Sequence, residues 1–265
     1  MARLFYICFL PALIILSANA AYAGISQIFD KEGNPVLSSQ KGISEQTSGS
    51  GMNIPRYSVP EGVELLKDIK YEYYPVFGRT FSEIITSSEE NGPFNREENR
   101  RFPTKSEWNI GWSYKFVYSY EIDEENNKIY IPVEIYDINV KYDITITLPT
   151  LIDDTSLNPV EKKMWKNYFL RLLEHEHDHV KIIRDVESMD KTLKNITDIS
   201  YMVFDFKSDL DLERIVESSL EEETLKIGRT WLSEIKKRTD EYDRITDHGK
   251  KIETRELFFK QKGSD

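Results

Sequence analysis

WNIGWSYKFVYSYEI, residues 108–122, places Trp108, Ile110, Trp112, Tyr114, Phe116, Tyr118, Tyr120 and Ile122 on alternate positions, with polar or small residues between most of them. Strict alternation over so many residues is the pattern of a β-strand with one buried face. DEENN supplies a turn, and KIYIPVEIYDI (128–138) continues as strand, where Pro132 argues for an edge or a bulge. Ile138, Val140, Tyr142, Ile144, Ile146 and Leu148 alternate again, so Asp137 either breaks the strand or lies within one bent strand. Upstream, Ile69, Tyr71 and Tyr73 in IKYEYYPVFG predict one more strand. These segments predict an antiparallel sheet of about four strands whose apolar face needs a covering layer.

The cover is legible as helix. Asn158 as cap, Pro159 at the first helical position and Glu161 at the third make a strong helix start. Trp165, Phe169, Leu172, Leu173, Val180 and Ile183 then recur at helical spacing, a pattern that lasts to about Ile196. A second helical pattern runs from about Leu212 to Ile245, with Gly228 either interrupting it or permitting a close approach. A short helix is expected in TFSEIITSSEENGP, where Thr80 precedes Glu83 by three residues and Gly92-Pro93 ends the run. The fold class is α+β, a sheet covered by long helices.

Residues 1–23 read as an export signal: Arg3, an apolar run from about Leu4 to Leu16, then Ala21-Tyr22-Ala23 as a cleavage site. The run is shorter than the ~20 residues of a spanning helix, so no stable membrane span is expected after cleavage. Residues 24–60 are rich in Ser, Gly, Gln and Asn and read as a flexible linker, leaving 61–260 as the folded domain. The net charge of −11 argues against a general nucleic-acid footprint. The single cysteine, Cys8, lies in the signal, so the exported chain has neither disulfides nor thiolate metal ligands. A transition-metal site must then be built from histidine and carboxylate.

Three of the four histidines fall in LLEHEHDHVKI, residues 172–182. At about 100° per residue, His175 and His179 share one helix face, roughly 40° apart, and His177 points away from both. His175-Glu176-His177-Asp178-His179 satisfies H-E-x-x-H, in which two imidazoles one turn apart hold a zinc ion and the glutamate acts as general base. Glu176 would take a proton from the water that attacks a carbonyl and deliver it to the leaving amine. The pattern thus predicts one Zn2+ ion. A catalytic zinc takes three protein ligands. Ile182 and Asp185 stand where a metzincin would carry glycine and histidine, so that subclass is excluded. The remaining ligand is open among His248, after the second long helix, the carboxylates Asp185 and Glu187, and Asp243. His248 also reads as an ordinary helix-end histidine.

The chain resembles the bacterial domain-of-unknown-function family 922, described as predicted secreted zinc-dependent proteases. The resemblance rests on FGRTFSEI (77–84), NGP (91–93), WNIGWSY (108–114), TLP (147–149), HEHDH (175–179) and YDRITDHG (242–249), across roughly residues 65–255. After His248-Gly249 the family tends toward Q-G, whereas this chain continues KKIETRE. The resemblance implies a zincin-like hydrolase, secreted or periplasmic, acting on peptide or protein substrates. It favours His248 as third zinc ligand and Asp243 as a carboxylate orienting a ligand imidazole, and makes Tyr242 either a packed aromatic or an oxyanion donor. The expected function is a zinc metallopeptidase that binds peptide along an edge strand, for which Pro132 marks the 128–138 strand. The alternative is a non-catalytic envelope binding module with a closed, structural zinc site.

Overall fold

The computed structural model describes residues 24–29, 31, 59–207 and 209–260. The expected export signal lies outside the described residues, as does most of the expected linker. Within that linker, Gly24–Phe29 is a strand, β1. Composition hid it because six residues are too few to sustain a period, and pairing with a neighbouring strand fixes it. The other elements are β2 (Lys70–Val76), α1 (Phe81–Asn91), β3 (Phe94–Asn95), β4 (Arg100–Arg101), β5 (Lys105–Tyr118), β6 (Glu121–Asp123), β7 (Lys128–Leu151), α2 (Pro159–Ile183), α3 (Val186–Thr197), β8 (Tyr201–Asp205), α4 (Leu212–Thr246) and α5 (Ile252–Lys260). The fold is α+β, as expected, with no described helix long and apolar enough to cross a membrane.

The sheet departs from expectation in three ways. It has six strands, ordered β1-β5-β7-β2, with β6 and β8 also pairing to β7. It is mixed, not purely antiparallel: β2 runs parallel to the end of β7, from Lys70 opposite Thr145 to Val76 opposite Leu151. The long chain between β2 and β7 supplies the crossover that a parallel pair requires. Finally, the segment around Pro132 is no edge, because β6 pairs with residues 128–130 and β8 with residues 128–132. Pro132 sits at the last pair with β8, opposite Tyr201, and its carbonyl accepts from the Ser119 N–H. β7 is one 24-residue strand, and Asp137 is absorbed within it at φ 54°.

Backbone contacts divide the described chain into two compact units. One contains Ser113–Asn139 and Leu193–Ile227, and the other Gln27–Trp112, Val140–Thr192 and the chain from Gly228 on. In the first unit Tyr114 and Phe116 of β5, Ile129 and Ile131 of β7, and Val216 and Leu220 of α4 are buried. The Tyr114 hydroxyl meets Thr224 Oγ1 at 3.3 Å.

The second unit carries the histidine motif. α1 starts at Thr80, whose side chain accepts from the Glu83 N–H, as its spacing predicts. α2 starts with a full capping box, Asn158 accepting from Val160 and Glu161 while Glu161 accepts back. Its apolar stripe, Trp165, Phe169, Leu172, Leu173, Val180 and Ile183, is buried with Ile144, Ile146 and Leu148 of β7. The predicted single helix to Ile196 is two helices. The break falls at Arg184–Asp185, where the Asp185 carboxylate accepts from the Ser188 N–H at the start of α3 and from Arg238 at 3.0 Å. α4 is unbroken at Gly228. A Cβ there would lie 2.0 Å from the Trp112 ring, so the glycine permits the approach of a strand tryptophan to the helix.

Candidate metal centre

α2 has an unusual feature for a helix face: His175, Glu176, Asp178 and His179 are all buried, from 0 to 7 % exposed. Burying four titratable groups in one turn and a half requires partners for each. Those partners come mostly from three distant segments, the start of β5, the C-terminal end of α4 and α5.

Asp243 of α4 reaches both motif imidazoles. Its Oδ1 lies 3.0 Å from His175 Nε2 and 2.9 Å from His179 Nε2, and the two Nε2 atoms are 3.2 Å apart. Among the described residues, these three side chains form the group able to hold a metal ion. The donors fit one. With bonds of about 2.0–2.1 Å, a tetrahedral zinc site has ligand–ligand edges of about 3.3 Å, close to the distances seen. Protons satisfy the triangle poorly, since both Nε2 hydrogens would converge on one oxygen at 3.2 Å from each other's nitrogen. A divalent cation takes a lone pair from each. Burial raises the Asp243 pKa, but hydrogen bonds from His175 and His179 outweigh it and hold the carboxyl well below its usual range. For His179, burial disfavours the proton, and the Asp243 carboxylate more than restores it. His175 Nδ1 is buried with no hydrogen-bond partner.

Asp243 is therefore in contact with both imidazole nitrogens, at the position the residues had left open among it, His248, Asp185 and Glu187 and where the resemblance implied a carboxylate orienting an imidazole. His248 stands further out. Its Nδ1 is 3.8 Å from Asp243 Oδ1, its Nε2 is 3.5 Å from Glu98, and its ring lies 4.4 Å from that of Phe102. Burial, its largest influence, lowers its pKa. Asp185 is held at the α2–α3 break, and Glu187 is exposed on α3; neither belongs to the three-donor group.

Glu176 is held by hydroxyls. Thr104 Oγ1 donates to its Oε1 and Ser106 Oγ to its Oε2, each at 2.5 Å. Sequence reading missed both residues, because nothing local marks a Thr-x-Ser at a strand start. His175, Glu176, His179, Asp243, His248 and Thr104 line one cavity of about 130 Å³.

Tyr242 and Asp178 form a separate cluster. The Tyr242 hydroxyl donates to Asp178 Oδ2 at 2.7 Å, and its ring stacks on His175 at 5.1 Å. It is 1 % exposed and is not among the residues lining that cavity. Tyr242 thus packs between Asp178 and the His175 ring. Arg255 of α5 grips the same carboxylate through Nε and, at 3.0 Å, through NH2, and Lys181 adds a bond at 2.8 Å. His177, on the opposite side of α2, meets the Tyr71 hydroxyl at 2.8 Å.

These contacts explain YDRITDHG physically. Tyr242 supports α2 through Asp178, and Asp243 meets the two imidazoles of that helix. Thr246, 1 % exposed, bonds the Tyr242 carbonyl at 2.7 Å and accepts from the Gly249 N–H at 3.3 Å. Asp247, His248 and Gly249 then take φ of 49°, 52° and 80°, which turns the chain and brings His248 to the cavity. Gly249 is required twice over: its φ is left-handed, and a Cβ would lie 2.9 Å from His175 Cγ.

Fold and site together define an α+β protein with a His-His-Asp cluster, its two imidazoles buried and its carboxylate partly exposed, beside a hydroxyl-held glutamate, a candidate metal protein. Residues 71–249 match the family model described as "Bacterial protein of unknown function (DUF922)", and the chain belongs to that family. No curated protein and no solved structure matches it.

Proposed function

We propose that the protein is a zinc-dependent peptidase whose metal is held by His175, His179 and Asp243 and whose general base is Glu176. The observation that carries this reading is the position of Glu176, whose carboxylate lines the same small cavity as the three donor side chains and is aimed by two hydroxyls. When bound, a zinc ion polarises a carbonyl and acidifies water. Glu176 receives the proton of the attacking water on one carboxylate oxygen and returns it to the departing amine nitrogen. Thr104 and Ser106 fix the carboxylate plane, so that the proton moves along a short, constant path. His248 borders the same cavity and presents an imidazole to the substrate, the role the resemblance had offered to Tyr242. With the export signal expected at 1–23, this chemistry belongs outside the cytoplasm, on peptide or protein substrates.

Three donors, not four, among the described residues support an open site over a closed structural one. The binding-module alternative needs a fourth ligand, and His248 is the residue placed to supply it. Metal analysis of purified protein tests both. One zinc per chain, lost in Asp243→Ala and retained in His248→Ala, together with cleavage of an unfolded protein, is the expected result. Loss of zinc in His248→Ala without detectable hydrolysis by the native protein would favour the closed site.

A further inference from the structure

Beside the 130 Å³ cavity lies a larger one, about 570 Å³, in the size range of pockets that take small ligands or side chains. The two share Phe102, Pro103, Leu172, His175 and His248 as lining residues. A substrate whose reacting bond lies at Glu176 would therefore extend from one into the other. The larger cavity is lined by four cations, Arg100, Arg101, Arg171 and Lys250, and by a single acid, Glu89 of α1. That is a concentrated positive lining in a chain of net charge −11.

The cations differ in how far they are already neutralised. Arg100 is paired with Glu98 at 2.8 Å and lies over the Phe102 ring at 4.2 Å. Arg101 donates to the neutral Gly92 carbonyl at 2.6 Å. Arg101, Arg171 and Lys250 have no carboxylate partner among the described residues. The rest of the wall is apolar or aromatic, with Ile85, Tyr168 and Leu172. A pocket of this kind, a greasy wall with cations around it, suits an anionic group carried on an organic chain. A guanidinium pairs with a carboxylate through two parallel bonds, which gives orientation as well as attraction.

We propose that this cavity is the specificity subsite of the protein, and that it recognises a carboxylate of the substrate peptide next to the bond at Glu176. The carboxylate has two sources, the peptide's C-terminus or an acidic side chain. The proposal rests on the peptidase reading for its substrate class. Its test measures binding, so that the two stand or fall separately.

The experiment uses full-length mature Glu176→Gln protein loaded with zinc, and three versions of one apolar hexapeptide. These are the free acid, the C-terminal amide, and the amide with one internal Glu. Calorimetry is expected to show at least one carboxylate-bearing peptide binding about tenfold or more tightly than the plain amide, with the advantage shrinking at high salt. Preference for the free acid alone identifies the C-terminal carboxylate; preference for the Glu-containing amide alone identifies a side chain. The double variant Arg171→Glu/Lys250→Glu, both exposed positions, is expected to erase the advantage while zinc content and melting temperature stay unchanged. Equal affinity for all three peptides, no measurable binding of any, or an advantage that survives the double charge reversal would overturn the subsite. Should the preference hold while wild-type protein cleaves none of the three, the peptidase reading fails and the anion subsite stands. Cleavage of all three at equal rates, without binding preference, overturns the subsite and leaves the peptidase standing.

Discussion

Glu176 and Asp178 sit two residues apart on α2, both buried and both acidic, yet they stand in opposite surroundings. Glu176 is held by two neutral hydroxyls from the start of β5 and opens to the cavity. Asp178 is held by two cations, Arg255 and Lys181, and by the Tyr242 hydroxyl, at 0 % exposure. Hydroxyls orient a carboxylate without bringing a counter-charge to it. Cations fix the charge, and the carboxylate becomes a structural pin between α2, α4 and α5. In the proposed function, the partner, more than the residue type, separates the acid assigned to chemistry from the acid that holds helices together.

The sharpest way to break this contrast is Glu176→Gln, which keeps shape and removes the proton acceptor. Turnover is expected to fall by roughly 10²–10⁴-fold, the usual worth of a general base, with zinc content and melting temperature unchanged. Undiminished turnover would remove Glu176 from the chemistry.

Next comes the pin. Asp178→Ala strands the Tyr242 hydroxyl and an Arg255 that is partly screened by solvent. Denaturant unfolding should show a loss of about 2–4 kcal/mol, since breaking a buried pair leaves its partner uncompensated. A loss within experimental error would mean that α5 is not held through this residue.

A smaller effect is expected from the hydroxyls. Thr104→Val should lower kcat by roughly tenfold through a carboxylate aimed less well, with KM and zinc content little changed. Ser106→Ala should do the same, and the double variant should lose more than either. If kcat does not respond, the hydroxyls merely fill hydrogen bonds.

The least of these effects is in pH. Burial pushes the Asp178 pKa up, but the bonds from Arg255, Lys181 and Tyr242 outweigh it and leave the pKa lowered. A lowered folded-state pKa gives stability that is present above the unfolded value, about 3.9, and lost as pH falls through the folded one. Wild-type melting temperature should therefore drop more between pH 5 and pH 3 than that of Asp178→Asn, followed by calorimetry. Equal slopes would show that the carboxylate carries no linkage.

Several features were legible before any coordinates. The strand of β5, the capping box of α2, the extent of α4 and the pairing of His175 with His179 follow from spacing alone. The α2–α3 break was not, because α3 continues the apolar period and only the Asp185 side chain, turned to the Ser188 N–H and Arg238, marks the interruption. The strand β8 was missed because YMVFD is too short to show alternation against its surroundings. The mixed sheet was missed because periodicity gives a strand's face and never its direction or partner.

By itself the sequence determined the local elements and the helix face on which two imidazoles and a glutamate must lie, because a helix fixes angles between near neighbours. Tertiary structure alone decided that Asp243, 64 residues after His179, meets the imidazoles while His248 stands back. It also decided that Thr104 and Ser106, 72 and 70 residues before Glu176, hold that carboxylate. No spacing rule spans such separations. They are set by how β5 and the end of α4 pack against α2, and by a left-handed turn that swings His248 away from the helix it follows.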